Sequence, residues 1–206
     1  MIAHWVRTEG AWLSEPMPQR SGRRLVVACT DDRPCRGFLT WLFEAAPGAR
    51  SGHSAEPFSY GYWQLRIVDE DREHERLQEK TSDGSEFVSW IRNAPSYWHA
   101  QHEACDRARS PFAPPRLDQL VAISEGVLSS EPVEGVRYNA PDHMTGWYLT
   151  TDKYDGDVST LVLEHVVHVT HARPDLAPLI ALAPGFRFWS GPPAEAWYDP
   201  KAAAAE

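Results

Sequence analysis

No hydrophobic run in this chain is long enough to cross a bilayer. The longest uncharged apolar stretch near the C-terminus, residues 177–186, is short and broken by Pro178 and Pro184. The first seven residues, with His4 and Arg7 around Trp5, have no basic region leading into an apolar core, so no secretory signal is read there. Cysteine is sparse as well: Cys29, Cys35 and Cys105 make an odd count, which excludes a disulfide framework and suits a reducing cytoplasm. Five residues lie between Cys29 and Cys35, so they are not a CxxC redox or zinc pair, and a structural or incidental role is expected. GxSxG, P-loop, GxGxxG and HExxH patterns are all missing, which removes the common nucleophile, nucleotide and zinc signatures.

Basic side chains are the other deficit, and it is local. Residues 1–116 hold 15 Lys and Arg against 16 Asp and Glu, whereas residues 117–206 hold 5 against 13. Of the net charge of −9, −8 therefore falls in the second part. A nucleic-acid partner requires the opposite balance, because Lys and Arg must displace counterions from phosphates. Docking on an anionic membrane is disfavoured for the same reason. A basic protein partner fits the charge, as does a merely solvated acidic face. What the chain does contain is enough apolar material for a core: 42% hydrophobic residues and 9 Trp in 206 positions, which argues against disorder.

The residues predict an α+β protein of two mixed halves, the second a small antiparallel sheet with a C-terminal helical pair. Residues 1–110 form an α+β region of unassigned role, 111–116 a proline-rich connector, 117–200 an acidic domain and 201–206 a frayed tail. The first twenty residues read as an irregular lead-in. Residues 24–29 (Arg-Leu-Val-Val-Ala-Cys) read as a buried strand, followed by a helix capped by Thr30, Asp31 or Asp32 and stopped by Pro47-Gly48. Residues 60–68 alternate as one half-buried strand, and the mixed-charge run 69–80 reads as a solvated helix face. Phe87, Val88, Trp90 and Ile91 suggest a helix, as do residues 97–109. Strands are expected at 120–124, 132–138, 146–151 and 186–189, with a helix from Val158 to Arg173 capped by Asp157 and ended by Pro174.

Two clusters could carry chemistry. On a helix, Glu164, His168 and His171 fall within about 60° of one another, a face that could chelate a divalent metal with Asp155 or His143 as a fourth ligand. The same imidazoles suit the negative end of a helix with no metal at all, so neither a metal nor a cofactor is expected. The second cluster is acidic: Asp152, Asp155, Asp157 and Glu164 gather at one turn against the single Lys153, with Asp142 and Glu134 in the preceding hairpin. Capping a helix accounts for one or two of these carboxylates, not four. A field of this kind would speed encounter with a cationic protein, which makes the four the expected partner-binding residues.

The second half also carries a family resemblance. Val121-Ala122-Ile123-Ser124-Glu125-Gly126-Val127-Leu128, then Pro132-Val133-Glu134-Gly135-Val136-Arg137-Tyr138, then Met144-Thr145-Gly146-Trp147-Tyr148-Leu149 resembles immunity protein family thirty-three. The pattern is a strand with Ser and Val-Leu, a Val-rich strand ending in Arg, and a Gly-Trp strand after a polar loop. The stretch from Tyr154 through Arg173-Pro174-Asp175-Leu176 to Pro184-Gly185-Phe186-Arg187-Phe188 is similar to members with a helical C-terminal half. The resemblance spans about residues 117–190 and brings no catalytic residue. It implies a small bacterial cytoplasmic protein encoded beside a polymorphic toxin or secretion-system effector, type VI included, that protects its producer by binding the toxin. The expected function is thus non-enzymatic neutralisation of a cognate toxin whose cationic active site the acidic surface occludes. The alternatives are a metal-assisted hydrolase or enzymatic immunity factor using Glu164, His168 and His171, and an oligomeric adaptor built on Trp5, Trp12 and Trp41.

Overall fold

Alternation of buried and exposed side chains, more than helical periodicity, organises this chain. The computed structural model describes residues 3–17, 22–45, 56–129 and 131–204. It is α+β, and it divides into two units: Met1–Thr81 with Ser85–His99, and Ser82–Gly84 with Ala100–Glu206. No helix among the described residues is long and apolar enough to cross a membrane.

The first unit contains β1 (Trp5–Arg7), β2 (Trp12–Ser14), β3 (Arg24–Cys29), α1 (Arg33–Ala45), β4 (Phe58–Tyr60), β5 (Trp63–Asp69), β6 (His74–Lys80), β7 (Phe87–Val88) and β8 (Trp90–Ile91). Its sheet runs β1-β2-β3-β6-β5-β4, with β7 added to β6 and β8 to β3. The lead-in expected to be irregular is instead the β1–β2 hairpin. Trp5 and Trp12 anchor it in the core, Trp5 donating its indole N–H to the Leu39 carbonyl, so neither is available for an oligomer face. Strand β3 and helix α1 lie where the residues place them, while Pro47-Gly48 falls outside the described residues. The single strand expected over 60–68 is two, β4 and β5, joined at Gly61.

The largest departure is the charged run 69–80, which forms strand β6 rather than a solvated helix. Its inward positions are Glu75, Leu77 and Glu79, so two carboxylates occupy core sites. Glu75 accepts from Arg23, and Glu79 accepts from the backbone N–H groups of Arg92, Asn93 and Ala94. Those three donors open α2 (Asn93–Ala108), the helix expected near 97–109. Phe87 to Ile91 is likewise strand, β7 and β8, because the open sides of β6 and β3 supply ladder partners.

Cys29 and Cys35 are joined in a disulfide that ties the end of β3 to the first turn of α1. Their role is structural, in an oxidised form that the sparse, odd cysteine count did not suggest. Cys105 is free and buried, and burial pushes its thiol up to about 11.

The second unit contains β9 (Leu120–Ile123), β10 (Glu134–Arg137), β11 (Met144–Thr150), β12 (Val162–His165), α3 (Val166–Ala172), β13 (Phe186–Trp189), β14 (Glu195–Tyr198) and α4 (Pro200–Ala204). The sheet order is β12-β9-β11-β10-β13-β14, antiparallel except where β9 and β11 run parallel. Trp147 and Phe188, with ring centroids 5.0 Å apart, centre the core on its inner face. Residues 111–116 pack within this unit: Phe112 bridges Leu182, and the Ala113 N–H donates to the Ala181 carbonyl. The tail expected to fray is helical as far as Ala204, with Ala202 buried; Glu206 lies outside the described residues.

The helix expected from Val158 to Arg173 is broken into three. Asp157 does cap, but what it caps is a 3-10 turn at Val158–Thr160. Val162–His165 then pairs with β9, and only Val166–Ala172 is α-helical. Valines at 162, 166, 167 and 169 fit either structure, and the open edge of β9 selects the strand for the first of them.

Candidate functional site

The outer face of the second sheet carries a groove of about 690 Å³. Strand alternation builds its floor. On β10 Glu134 and Val136, and Tyr138 just after it, point outward while Gly135 and Arg137 point in, and on β11 Tyr148 and Thr150 are outward beside the buried Trp147 and Leu149. Tyr138 and Tyr148 meet edge to face at 5.4 Å. The third tyrosine, Tyr154, joins Val158 and Leu161 in the wall supplied by the loop after β11.

Gly146 sets this geometry. Its φ is +78°, and a Cβ there would collide with the carbonyl oxygen of Tyr138, so only glycine allows the two strands to approach at this point. Gly146→Ala is expected to lower stability by about 2 kcal/mol or more in urea titration, since left-handed backbone and a backbone clash both oppose the methyl.

The two ends of the groove differ in charge. At one, Arg187 donates to Glu134 at 2.5 Å and to Asp199 at 3.0 Å, so its guanidinium is fully countered. At the other, Asp155 and Asp157 flank Tyr154, and both help to hold its phenol above the ordinary range, behind desolvation as the main cause. Asp155 accepts from the Asp157 N–H, and Asp157 from the Ser159 N–H, which keeps the Asp157 carboxyl below its ordinary value. The loop backbone therefore fixes both carboxylates in the loop that supplies Tyr154 and Val158 to the groove.

Asp152 is exposed on the same loop, beside Lys153, whose ammonium is bound by Glu131 at 2.5 Å. Glu164 is not part of that loop; it lies on β12. There it accepts from the His165 N–H and from His168 Nδ1 at 2.7 Å, and chiefly the His168 contact lowers its pKa. Of the face expected to unite Glu164, His168 and His171, the first two do meet across a strand-to-helix boundary, but the three do not form a ligand group. No three His, Cys, Asp or Glu among the described residues come together as a metal site would require, with Asp155 and His143 included. Asp142 contributes through its carbonyl, which accepts from Arg116 and Gln119. Tyr138, Tyr148, Tyr154 and Arg187 lie in the stretches that carry the family resemblance, and the period-two alternation around Val136 and Trp147 is the sequence signal that places the first two outward.

Residues 100–199 match the family model of the Imm33-like domain. This match is to an immunity-protein family, and it extends beyond both ends of the stretch that resembled it in sequence. No curated protein matches the chain, and no solved structure does. The Imm33-like segment contains the whole groove, its Glu134–Arg187–Asp199 end and its acidic loop. It also contains Arg137, the arginine that ends the Val-rich strand of the resemblance. That side chain turns inward, donating from Nε to the Thr145 carbonyl and from Nη1 to those of Ala113, Leu182 and Ile180. The arginine that ends the Val-rich strand is thus buried and ties together backbone carbonyls of this unit.

Proposed function

We propose that the protein neutralises a cognate basic toxin by binding it, without catalysis, through the tyrosine groove and its acidic rim. The observation that carries this reading is the juxtaposition of three tyrosines with the backbone-held carboxylates of Asp155 and Asp157, inside the segment that matches an immunity-protein family. Tyrosine faces attract ammonium and guanidinium groups, and a carboxylate at the mouth adds charge pairing. A Lys or Arg projecting from the toxin fits such a groove, while Asp152 and Glu164 extend the field around it. The long-range part of that field governs encounter, and the desolvated tyrosine contacts govern residence. An acidic surface of this kind blocks a cationic active site by occupying the place of an anionic substrate.

The test uses the product of the neighbouring gene as the toxin. Reversing Asp152, Asp155 and Glu164 to Lys together is expected to slow association about tenfold or more at low salt, with the difference shrinking as salt is added, and to weaken protection in co-expression. An unchanged on-rate and affinity would eliminate the acidic face as the contact.

A further inference from the structure

A second cavity lies in the first unit, in a part of the chain to which no function attaches. It has a volume of about 840 Å³, within the range of ligand pockets. Its wall is aromatic. Tyr60 is buried between two half-exposed indoles, stacked on Trp98 at 4.2 Å between centroids and tilted against Trp41 at 4.4 Å. Phe38 closes the cluster from below, edge-on to Tyr60 at 4.8 Å. The buried rings fix the half-exposed ones in place, so Trp41 presents a rigid flat surface to the cavity.

The mouth is cationic. Arg33 lines it and forms no hydrogen bond or ion pair among the described residues. Arg36 lines it too and uses Nε on Asp31 at 2.6 Å, which leaves its two terminal nitrogens without a hydrogen bond among the described residues. Asp31 is the one carboxylate in the lining, against these two guanidinium groups. Both arginines stand on the first turn of α1, which the Cys29–Cys35 disulfide and the Asp32 cap on the Cys35 N–H hold to β3. Between them and Trp41 lies Gly37, where an added Cβ would meet nothing within 4 Å. Neither a left-handed backbone nor a close neighbour requires glycine at that helical position, and its absent side chain keeps the cavity open.

We infer that this cavity binds a planar aromatic ring bearing a phosphate or carboxylate, the ring stacked on Trp41 and the anion paired with Arg33 and Arg36. Flat π-faces accept any planar ring, and a guanidinium with free terminal nitrogens forms paired, charge-assisted bonds with either anion. The requirement for both halves sets the site apart from a hydrophobic pocket and from an adventitious anion site.

The oxidised full-length chain is titrated by calorimetry and tryptophan fluorescence with AMP, indole-3-acetate, adenosine and inorganic phosphate. Saturable quenching by AMP, by indole-3-acetate or by both supports the site and distinguishes a nucleotide from an aromatic carboxylate as its ligand. Adenosine and phosphate alone are expected to bind at least about tenfold more weakly, the equivalent of one charge-assisted contact. Gly37→Leu is expected to abolish binding by filling the cavity. Arg33→Gln, a change at an exposed side chain, is expected to weaken the anionic ligands about tenfold and leave adenosine unaffected, and it decides the matter if Gly37→Leu does not fold. Absence of binding at millimolar ligand, equal affinity for adenosine and AMP, or full affinity in folded Gly37→Leu would each overturn the inference.

Discussion

Arg137→Ala is expected to destabilise the Imm33-like unit by about 4 kcal/mol, enough to unfold it in mild denaturant, as read from urea titration of the near-ultraviolet circular dichroism. The guanidinium is buried and forms no ion pair with a carboxylate among the described residues. Four carbonyls, those of Thr145, Ala113, Leu182 and Ile180, receive its N–H groups, and Trp147 lies 5.7 Å away across its ring face. Burial pushes its pKa down to about 10, so it remains charged at neutral pH. Removing it takes this donor from the buried carbonyls of Ala113, Thr145 and Leu182, in three separated stretches of chain, while that of Ile180 keeps the Trp147 indole N–H. Arg137→Lys retains the charge but presents a single point of donation, and about half of the loss is expected. An alanine variant with wild-type stability would mean that these carbonyls find other donors.

Glu79→Ala is expected to cost about 3 kcal/mol in the same titration, because the N–H groups of Arg92, Asn93 and Ala94 lose their acceptor together. Glu79→Gln is milder, about 1–2 kcal/mol, since its amide nitrogen faces a donor where a carboxylate oxygen faced one before. The pH dependence follows from desolvation, which raises the Glu79 carboxyl above its ordinary 4.5 while the three N–H groups pull it back. A raised folded-state pKa means that the folded protein holds the proton more tightly than the unfolded chain. Its contribution to stability is then full below 4.5 and is lost as pH rises through the higher folded value. The advantage of wild type over Glu79→Gln is accordingly expected to narrow across that window, as measured by thermal unfolding at a series of pH values. A widening gap would show that the backbone donors outweigh burial.

The same carboxylate explains why the first unit was only partly legible. Strands at 24–29, 120–124 and 186–189 and the helices after residues 33 and 93 follow from runs of apolar residues with ordinary punctuation. The stretch 69–80 has the right period for a strand, but two of its three inward residues are glutamates, so hydropathy alone reads it as surface. Only the α2 N-terminus and Arg23, each distant in sequence, make those positions habitable for a carboxylate. Likewise, Val162–His165 has helical spacing with its neighbours, and the free edge of β9 converts it to strand. That conversion puts Glu164 on a strand outside the Asp155–Asp157 loop, where it keeps His168 as a partner without completing a set of three ligands among the described residues.

By itself, the order of residues determined the α+β character, the acidic second half, the turn chemistry of Asp155 and Asp157, and the resemblance that the Imm33-like match extends. These are local or compositional properties, set by neighbours along the chain. Tertiary structure decided that Arg137 turns inward, that Glu79 is a buried cap, and that Tyr138, Tyr148 and Tyr154 converge on one groove. Each of these depends on groups far apart in sequence, and a buried charge or a groove exists only when such groups are brought together.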